Sequence, residues 1–169
     1  MVKIHIEIGG MMVTSYTQPP PLTEGEIESV LRQAKVARLC SQNKDGTIHA
    51  VPISYRYENR KITVLSPTRS RKTQNLERNQ NVTLLVDISK KNTWPKGVVI
   101  YGKAELSHAT LGEATLLCEK YMPKAKAKNY AKGLLNLAKW SRINIKQESM
   151  TSFDYEKDWA YKTAVGEQE

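Results

Sequence analysis

The sequence predicts a β-rich α+β domain of six antiparallel strands with flanking helices, and three observations carry that reading. Between residues 36 and 87, short runs rich in Val, Ile, Leu and Tyr are separated by turn chemistry. Alternating runs at 98–106 and 142–155 continue the same texture. Three stretches, starting at Thr23, near Ser70 and at Leu111, switch instead to helical spacing. A chain of 169 residues is the size of one domain. Such a domain buries roughly two thirds of the surface its unfolded chain exposes.

Residues 1–8 alternate apolar and polar side chains and suit a short strand. Gly9-Gly10 and Pro19-Pro20-Pro21 then interrupt the chain, so residues 1–22 read as an arm that packs loosely or reaches a partner subunit. Thr23-Glu24-Gly25-Glu26 is a capping-box pattern, and Ile27, Val30, Leu31 and Ala34 follow on one helical face. Strands are expected at 36–42, 47–57 and 61–66, joined by Asn43-Lys44-Asp45-Gly46 and by a turn near Glu58-Asn59. Pro52 removes a ladder donor, so the second strand should be an edge or carry a bulge, with main-chain groups free for a ligand.

Residues 68–79 are polar and basic around one apolar anchor, Leu76, which suits a short surface helix starting near Ser70. The chain returns to the sheet at 82–88. A loop with Trp94-Pro95-Lys96-Gly97 leads into the fifth strand at 98–106. Leu111, Ala114, Cys118, Tyr121 and Met122 repeat at helical spacing, and a second helix after Pro123 carries Tyr130, Leu134, Leu137 and Ala138. Lys124, Lys126, Lys128, Lys132 and Lys139 cluster there, either as a solvated face or as a docking surface for an anionic tail. The last strand spans 142–155, residues 158–169 form a tail, and Glu167-Gln168-Glu169 should fray.

Composition narrows the chemistry. Lys and Arg number 26 against 17 Asp and Glu, so a net charge of +9 favours an anionic partner: a phosphorylated cofactor, an acidic substrate, nucleic acid or a membrane surface. No run is long and apolar enough for a bilayer span or a signal peptide, so a soluble cytoplasmic protein is expected, with no membrane partner. Cys40 and Cys118 stand far apart without metal-ligand spacing and read as reduced core thiols. His5, His49 and His108 are not at metal spacing either, so no metal site is expected. No Walker loop or dinucleotide fingerprint is present, and no nucleic-acid recognition signature. Trp94 and Tyr101 suit either packing or stacking on a ring.

The segment Ser66-Pro67-Thr68-Arg69-Ser70-Arg71-Lys72-Thr73-Gln74-Asn75-Leu76 is the most informative. Three cations and a hydroxyl stand within four positions, where a strand ends and a helix starts. Free backbone N–H groups and the positive end of the helix dipole meet there, which suits a phosphate dianion. A solvated basic turn accounts for the cluster equally well.

The order of elements around this segment adds to it. The proline-bearing second strand, the basic helix start with Asn75-Leu76, residues 79–82, and Tyr101-Gly102-Lys103-Ala104-Glu105 resemble the pyridoxamine-phosphate-oxidase-like family of FMN-binding proteins. The resemblance covers about residues 24–106 and, more loosely, the last strand. It implies a six-stranded antiparallel split β-barrel over residues 23–157 that works as a homodimer, with FMN at the subunit interface. It places the FMN phosphate on Ser70, Arg71 and Lys72, the isoalloxazine along His49, Val51, Pro52, Ile53 and Ser54, and the ribityl chain against Ser66, Pro67 and Thr68.

The chain departs from the true oxidases. Where they carry an arginine and a lysine at the ends of the second-strand motif it has His49 and Ser54, and where they carry a flavin-contacting glutamine it has Gly97. Residues 160–169 lack their Arg-Leu tail, so vitamin B6 oxidation is not implied. The resemblance implies a flavin-dependent oxidoreductase of unassigned substrate. Alternatives on the same fold are a deazaflavin-coenzyme-dependent reductase, whose acidic tail the lysines of 124–139 would suit, and a non-catalytic flavin-binding or redox-sensing module. Haem would want an axial histidine that the sequence does not place. In the oxidoreductase the polypeptide would bind, orient and tune the flavin, which carries the electron chemistry.

Overall fold

The computed structural model describes residues 6–8, 11–13, 19–89 and 93–158. Where one strand was expected in residues 1–8, two short ones, β1 (Ile6–Ile8) and β2 (Met11–Val13), pair as an antiparallel ribbon. The expected fraying of residues 167–169 lies outside the described residues.

Helix α1 (Glu24–Gln33) begins at the capping box read from the sequence. Thr23 Oγ1 accepts from Glu26 N, and the Glu26 carboxylate accepts from Thr23 N at 2.7 Å. Six antiparallel strands follow: β3 (Val36–Gln42), β4 (Ile48–Glu58), β5 (Lys61–Pro67), β6 (Asn81–Ile88), β7 (Lys96–His108) and β8 (Trp140–Asp154). They close into a barrel in the order β3-β4-β5-β8-β7-β6. The tight turns use left-handed backbone where the sequence permits it: Gly46 at φ 85° between β3 and β4, Asn59 and Arg60 at φ 49° and 58° between β4 and β5. Helix α2 (Arg71–Arg78) connects β5 to β6, while α3 (Leu111–Cys118) and α4 (Lys124–Leu137) form a helical hairpin between β7 and β8. Among the described residues no helix is long and apolar enough to cross a membrane.

Alternation sends Leu39, Tyr55, Val64, Leu84, Val86, Val98, Ile100 and Ile143 into the barrel, where Leu76 of α2 joins them. Tyr55 is fully buried, and its hydroxyl donates to Leu31 O at 2.7 Å, which ties α1 to the core. A second apolar cluster forms outside the barrel: Leu65 of β5 packs with Ala114, Cys118, Ala127 and Ala131 under Trp140. Cys118 is the core thiol expected, but Cys40 is only half-buried, because it stands on the outer face of β3 beside a surface recess. Gly102 is required by close packing: a Cβ there would lie 2.3 Å from Lys146 O, at the register shift between β7 and β8.

Strand β4 is where the barrel opens. Residues 48–54 pair with β3 along their whole length, but pairing with β5 begins only at Tyr55, opposite Val64. On its other edge β5 pairs with β8 from Ile62 through Pro67, and beyond Val64 that is its only pairing. The stretch around Pro52 is therefore an edge on one side, as its missing donor requires.

Candidate functional site

The site is built on the corner that joins β5 to α2. Ser70 caps α2, its Oγ accepting from Thr73 N at 3.4 Å. The same hydroxyl lies 2.8 Å from Ser66 Oγ and 2.9 Å from Thr73 Oγ1, and Thr73 Oγ1 donates to Pro67 O at 3.1 Å. Thr68 is held by its Oγ1 against Ser141 Oγ at 3.0 Å and by its N–H, which donates to Lys139 O at 2.9 Å. Ser66, Thr68 and Ser70, expected as ligand contacts, thus use their hydroxyls to hold the corner rigid. Ser66 is fully buried.

The first turn of α2 has no acidic residue and opens with Arg71 and Lys72. Their backbone N–H groups precede the first intrahelical acceptors. Cations beside a positive helix end raise the potential further, an arrangement unfavourable for the helix alone and favourable for a bound anion. Neither side chain has a hydrogen-bond or ion-pair partner among the described residues. Burial pushes the Lys72 ammonium below its usual range. His49 on β4 is also pushed down, first by burial and then by the charges of Arg71 and Lys72, which places the imidazole within their field.

The two cations part company beyond the backbone. Lys72 enters an apolar cavity of about 410 Å³ between the open edge of β4 and the α3–α4 hairpin. Arg71 lines a separate polar recess against the β3–β4 turn. One wall of the apolar cavity is Pro52, Ile53 and Ser54 of β4 with Leu65 and Pro67 of β5. The facing wall is Leu117, Cys118, Tyr121 and Met122 from the α3 end of the hairpin, with Tyr130 and Leu134 of α4; Trp140 of β8 completes the lining. Burial pushes the Cys118 thiol up, so it faces the cavity as a neutral group. Lys72 is the one cation in this lining.

The hairpin wall is anchored. Lys120 Nζ donates to Tyr55 O at 2.6 Å and lies 4.3 Å from the centre of the Tyr55 ring, while Tyr121 OH donates to Lys35 O at 2.6 Å. Trp140 Nε1 donates to Leu134 O at 2.9 Å. Sequence reasoning missed this wall. Its only signal was a surplus of apolar and aromatic residues on both sides of Pro123.

Of the eleven residues expected at the site, Pro52, Ile53, Ser54, Pro67 and Lys72 converge on the apolar cavity, with His49 within the electrostatic reach of Lys72. Val51 packs against the barrel core. Trp94 and Tyr101 line other recesses, and the lysines of α4, together with Lys139 beyond its end, are exposed. A cavity of this volume lies in the range of small-molecule sites. Its apolar walls, single ammonium and adjoining helix N-terminus suit an amphipathic anion with an apolar body.

The family described as "Pyridoxamine 5'-phosphate oxidase" matches residues 23–147. The chain belongs to this family. Solved structures of the same fold include a conserved hypothetical protein of Mycobacterium tuberculosis, 21% identical with a TM-score of 0.70, covering 84% of this chain and 92% of that one. The haem storage protein of Vibrio cholerae is 16% identical with a TM-score of 0.63, covering 79% and 97%. An FAD-binding protein of Mesorhizobium loti is 22% identical with a TM-score of 0.56, covering 79% and 93%. No curated protein matches the chain.

Within the pyridoxamine 5'-phosphate oxidase family, one departure has a structural cause. At Gly97, where the sequence comparison expects a glutamine, a Cβ would lie 2.7 Å from Phe153 Cζ and 2.8 Å from Val86 O. No side chain fits at that point of β7.

Proposed function

We propose that this protein binds FMN and acts as a flavin-dependent oxidoreductase. The observation that carries the proposal is the convergence of Pro52, Ile53, Ser54 and Pro67 with the unpartnered ammonium of Lys72 on one apolar cavity at the open edge of the barrel. Lys72 and the first N–H groups of α2 hold the phosphate, and His49 adds positive charge once protonated. Ser66, Thr68 and Ser70 keep that corner in place. The edge of 48–54 that turns away from β3, which has no partner in β5, meets the polar edge of the ring, while Leu117, Tyr121 and Tyr130 exclude water from its apolar body. When bound, the flavin supplies reversible hydride and electron transfer, which explains why few titratable side chains line the cavity.

The proposal includes a homodimer. Ile48 and Tyr101, 64% and 42% exposed, stand with Cys40 around one recess on the outer barrel wall, apolar side chains among polar ones such as Gln42, Asn79 and Asn81, a mixed surface suited to a second copy of the chain. The test is the absorbance spectrum during titration with FMN. A stoichiometric yellow complex whose bound flavin is reduced by NADH or NADPH supports the reading, and failure to bind FMN at micromolar concentration overturns it.

A further inference from the structure

The α3–α4 wall of the apolar cavity is joined to the barrel at two ends. At its root, Ala109 N donates to Trp140 O at 3.0 Å, and Arg142 pairs with Glu113 at 2.6 Å. At its tip, in the loop between the two helices, Lys120 Nζ donates to Tyr55 O at 2.6 Å and to Ala34 O at 3.4 Å, and Tyr121 OH donates to Lys35 O at 2.6 Å. All three acceptors are main-chain carbonyls. They stand where α1 ends, just before β3, and where β4 begins to pair with β5.

Between root and tip the hairpin packs mainly on itself. Its buried cluster draws Ala114 and Cys118 from α3 and Ala127 and Ala131 from α4, with Leu65 the one buried side chain from the barrel. The barrel core, in turn, includes no residue of the hairpin. Small side chains bury little apolar area, so attachment along this length is weak and the tip contacts decide how closely the wall stands over the cavity. Those contacts release readily. Lys120 has no carboxylate partner among the described residues, and burial pushes its ammonium below the usual range, so desolvation offsets part of what its hydrogen bonds contribute.

We propose that Lys120 and Tyr121 are positioning residues of the cavity: they hold the α3–α4 hairpin against the open edge of β4, and a ligand enters and leaves when these contacts part and the hairpin pivots at its root. Leu117, Cys118, Tyr121 and Met122 lie within three residues of Lys120 and withdraw with it, whereas Lys72 and α2 belong to the barrel and stay. The wall thus moves over a fixed anion site. As a statement about flavin passage the proposal rests on the function proposed above; as a statement about the hairpin it does not.

Cys118 reports the movement without any ligand, because it is buried behind the tip and a thiol reagent reaches it when the wall withdraws. The experiment follows alkylation of Cys118 by iodoacetamide at about pH 8.5 in the full-length Cys40→Ser protein, the chain having no other cysteine. Lys120→Met is expected to speed alkylation about tenfold and Tyr121→Phe about threefold, as for loss of a charged and of a neutral hydrogen bond. Val98→Ala, a lesion in the barrel core outside the hairpin's cluster, lowers Tm and is expected to leave the rate within about twofold. FMN should slow alkylation in the parent, and its release, read by recovery of flavin fluorescence, should be about tenfold faster from Lys120→Met. Alkylation of Lys120→Met within about twofold of the parent, or equal acceleration by Val98→Ala, would overturn the positioning role. Unchanged FMN release from a variant that alkylates faster would overturn the passage of ligand past the hairpin. Failure of FMN to bind, with alkylation accelerated, would overturn the flavin reading and leave the positioning role standing.

Discussion

Replacing Lys72 by methionine separates a ligand-binding lysine from a structural one. The side chain is half-buried at one end of the apolar cavity, its ammonium has no acceptor among the described residues, and burial already disfavours its charged form. A structural lysine in that position would have a partner. A charged hydrogen bond to phosphate contributes about 1.5–3 kcal/mol, so Lys72→Met should weaken FMN binding about 10- to 150-fold at 1.4 kcal/mol per decade. Lys72→Arg should restore much of the loss, since it keeps the cation. The ligand-free protein should respond in the opposite sense. A thioether packs against Leu117, Leu134 and Tyr130 without desolvating a charge, so stability should hold or rise by up to about 1 kcal/mol. For a chain of this size that is an increase in Tm of about 2–4 °C. The assay is a pair of measurements on each variant: flavin fluorescence quenching for affinity, and thermal melting without ligand. An affinity for FMN within twofold of the parent, or a melting temperature lowered by more than about 4 °C, would refute the assignment of Lys72 to the phosphate.

Two further outcomes follow from other parts of the site. His49 has a depressed pKa in the empty protein, so its charge is absent at neutral pH, and a bound dianion raises that pKa; binding therefore takes up a proton as pH falls below about 6.5. The affinity ratio of parent to His49→Asn should lie near unity at about pH 8 and grow toward tenfold at about pH 5.5; a ratio that does not change with pH would remove His49 from the site. The same depression means that without ligand the unfolded chain binds the proton more readily, so His49 contributes a loss of stability on acidification through that window. At Gly97 the contacts with Phe153 and the Val86 carbonyl are too close for any side chain. Gly97→Gln should destabilise by about 3 kcal/mol or more, seen as a drop in Tm of roughly 6–12 °C; a variant that melts within 2 °C of the parent would show that β7 accommodates the family's glutamine.

The secondary structure was legible because it is encoded within a few residues at a time. Thr23 and Glu26 specify a helix start by their own hydrogen bonds, Gly46 and Asn59 permit the turns, and alternation from Val82 onward returns the chain to the sheet. The proline at position 52 announced an open strand edge because a missing donor is a local fact. The basic corner was legible for the same reason, since Ser70, Arg71 and Lys72 are neighbours in the chain and their charges need no fold to be counted.

Direction and burial were not legible. Only the fold sends Lys72 into an apolar cavity and Arg71 into a polar recess, because successive helical residues diverge by about 100° and what each one meets depends on chain far away in sequence. Only the fold engages the hydroxyls of Ser66, Thr68 and Ser70 with one another, with Thr73 and with Ser141, and brings Leu117, Tyr121 and Tyr130 over the open edge of β4. Sequence by itself determined which elements form and where positive charge accumulates. Tertiary packing decided which of those charges stay unpaired and what encloses them, since desolvation is a property of surrounding atoms and not of the residue that carries the charge.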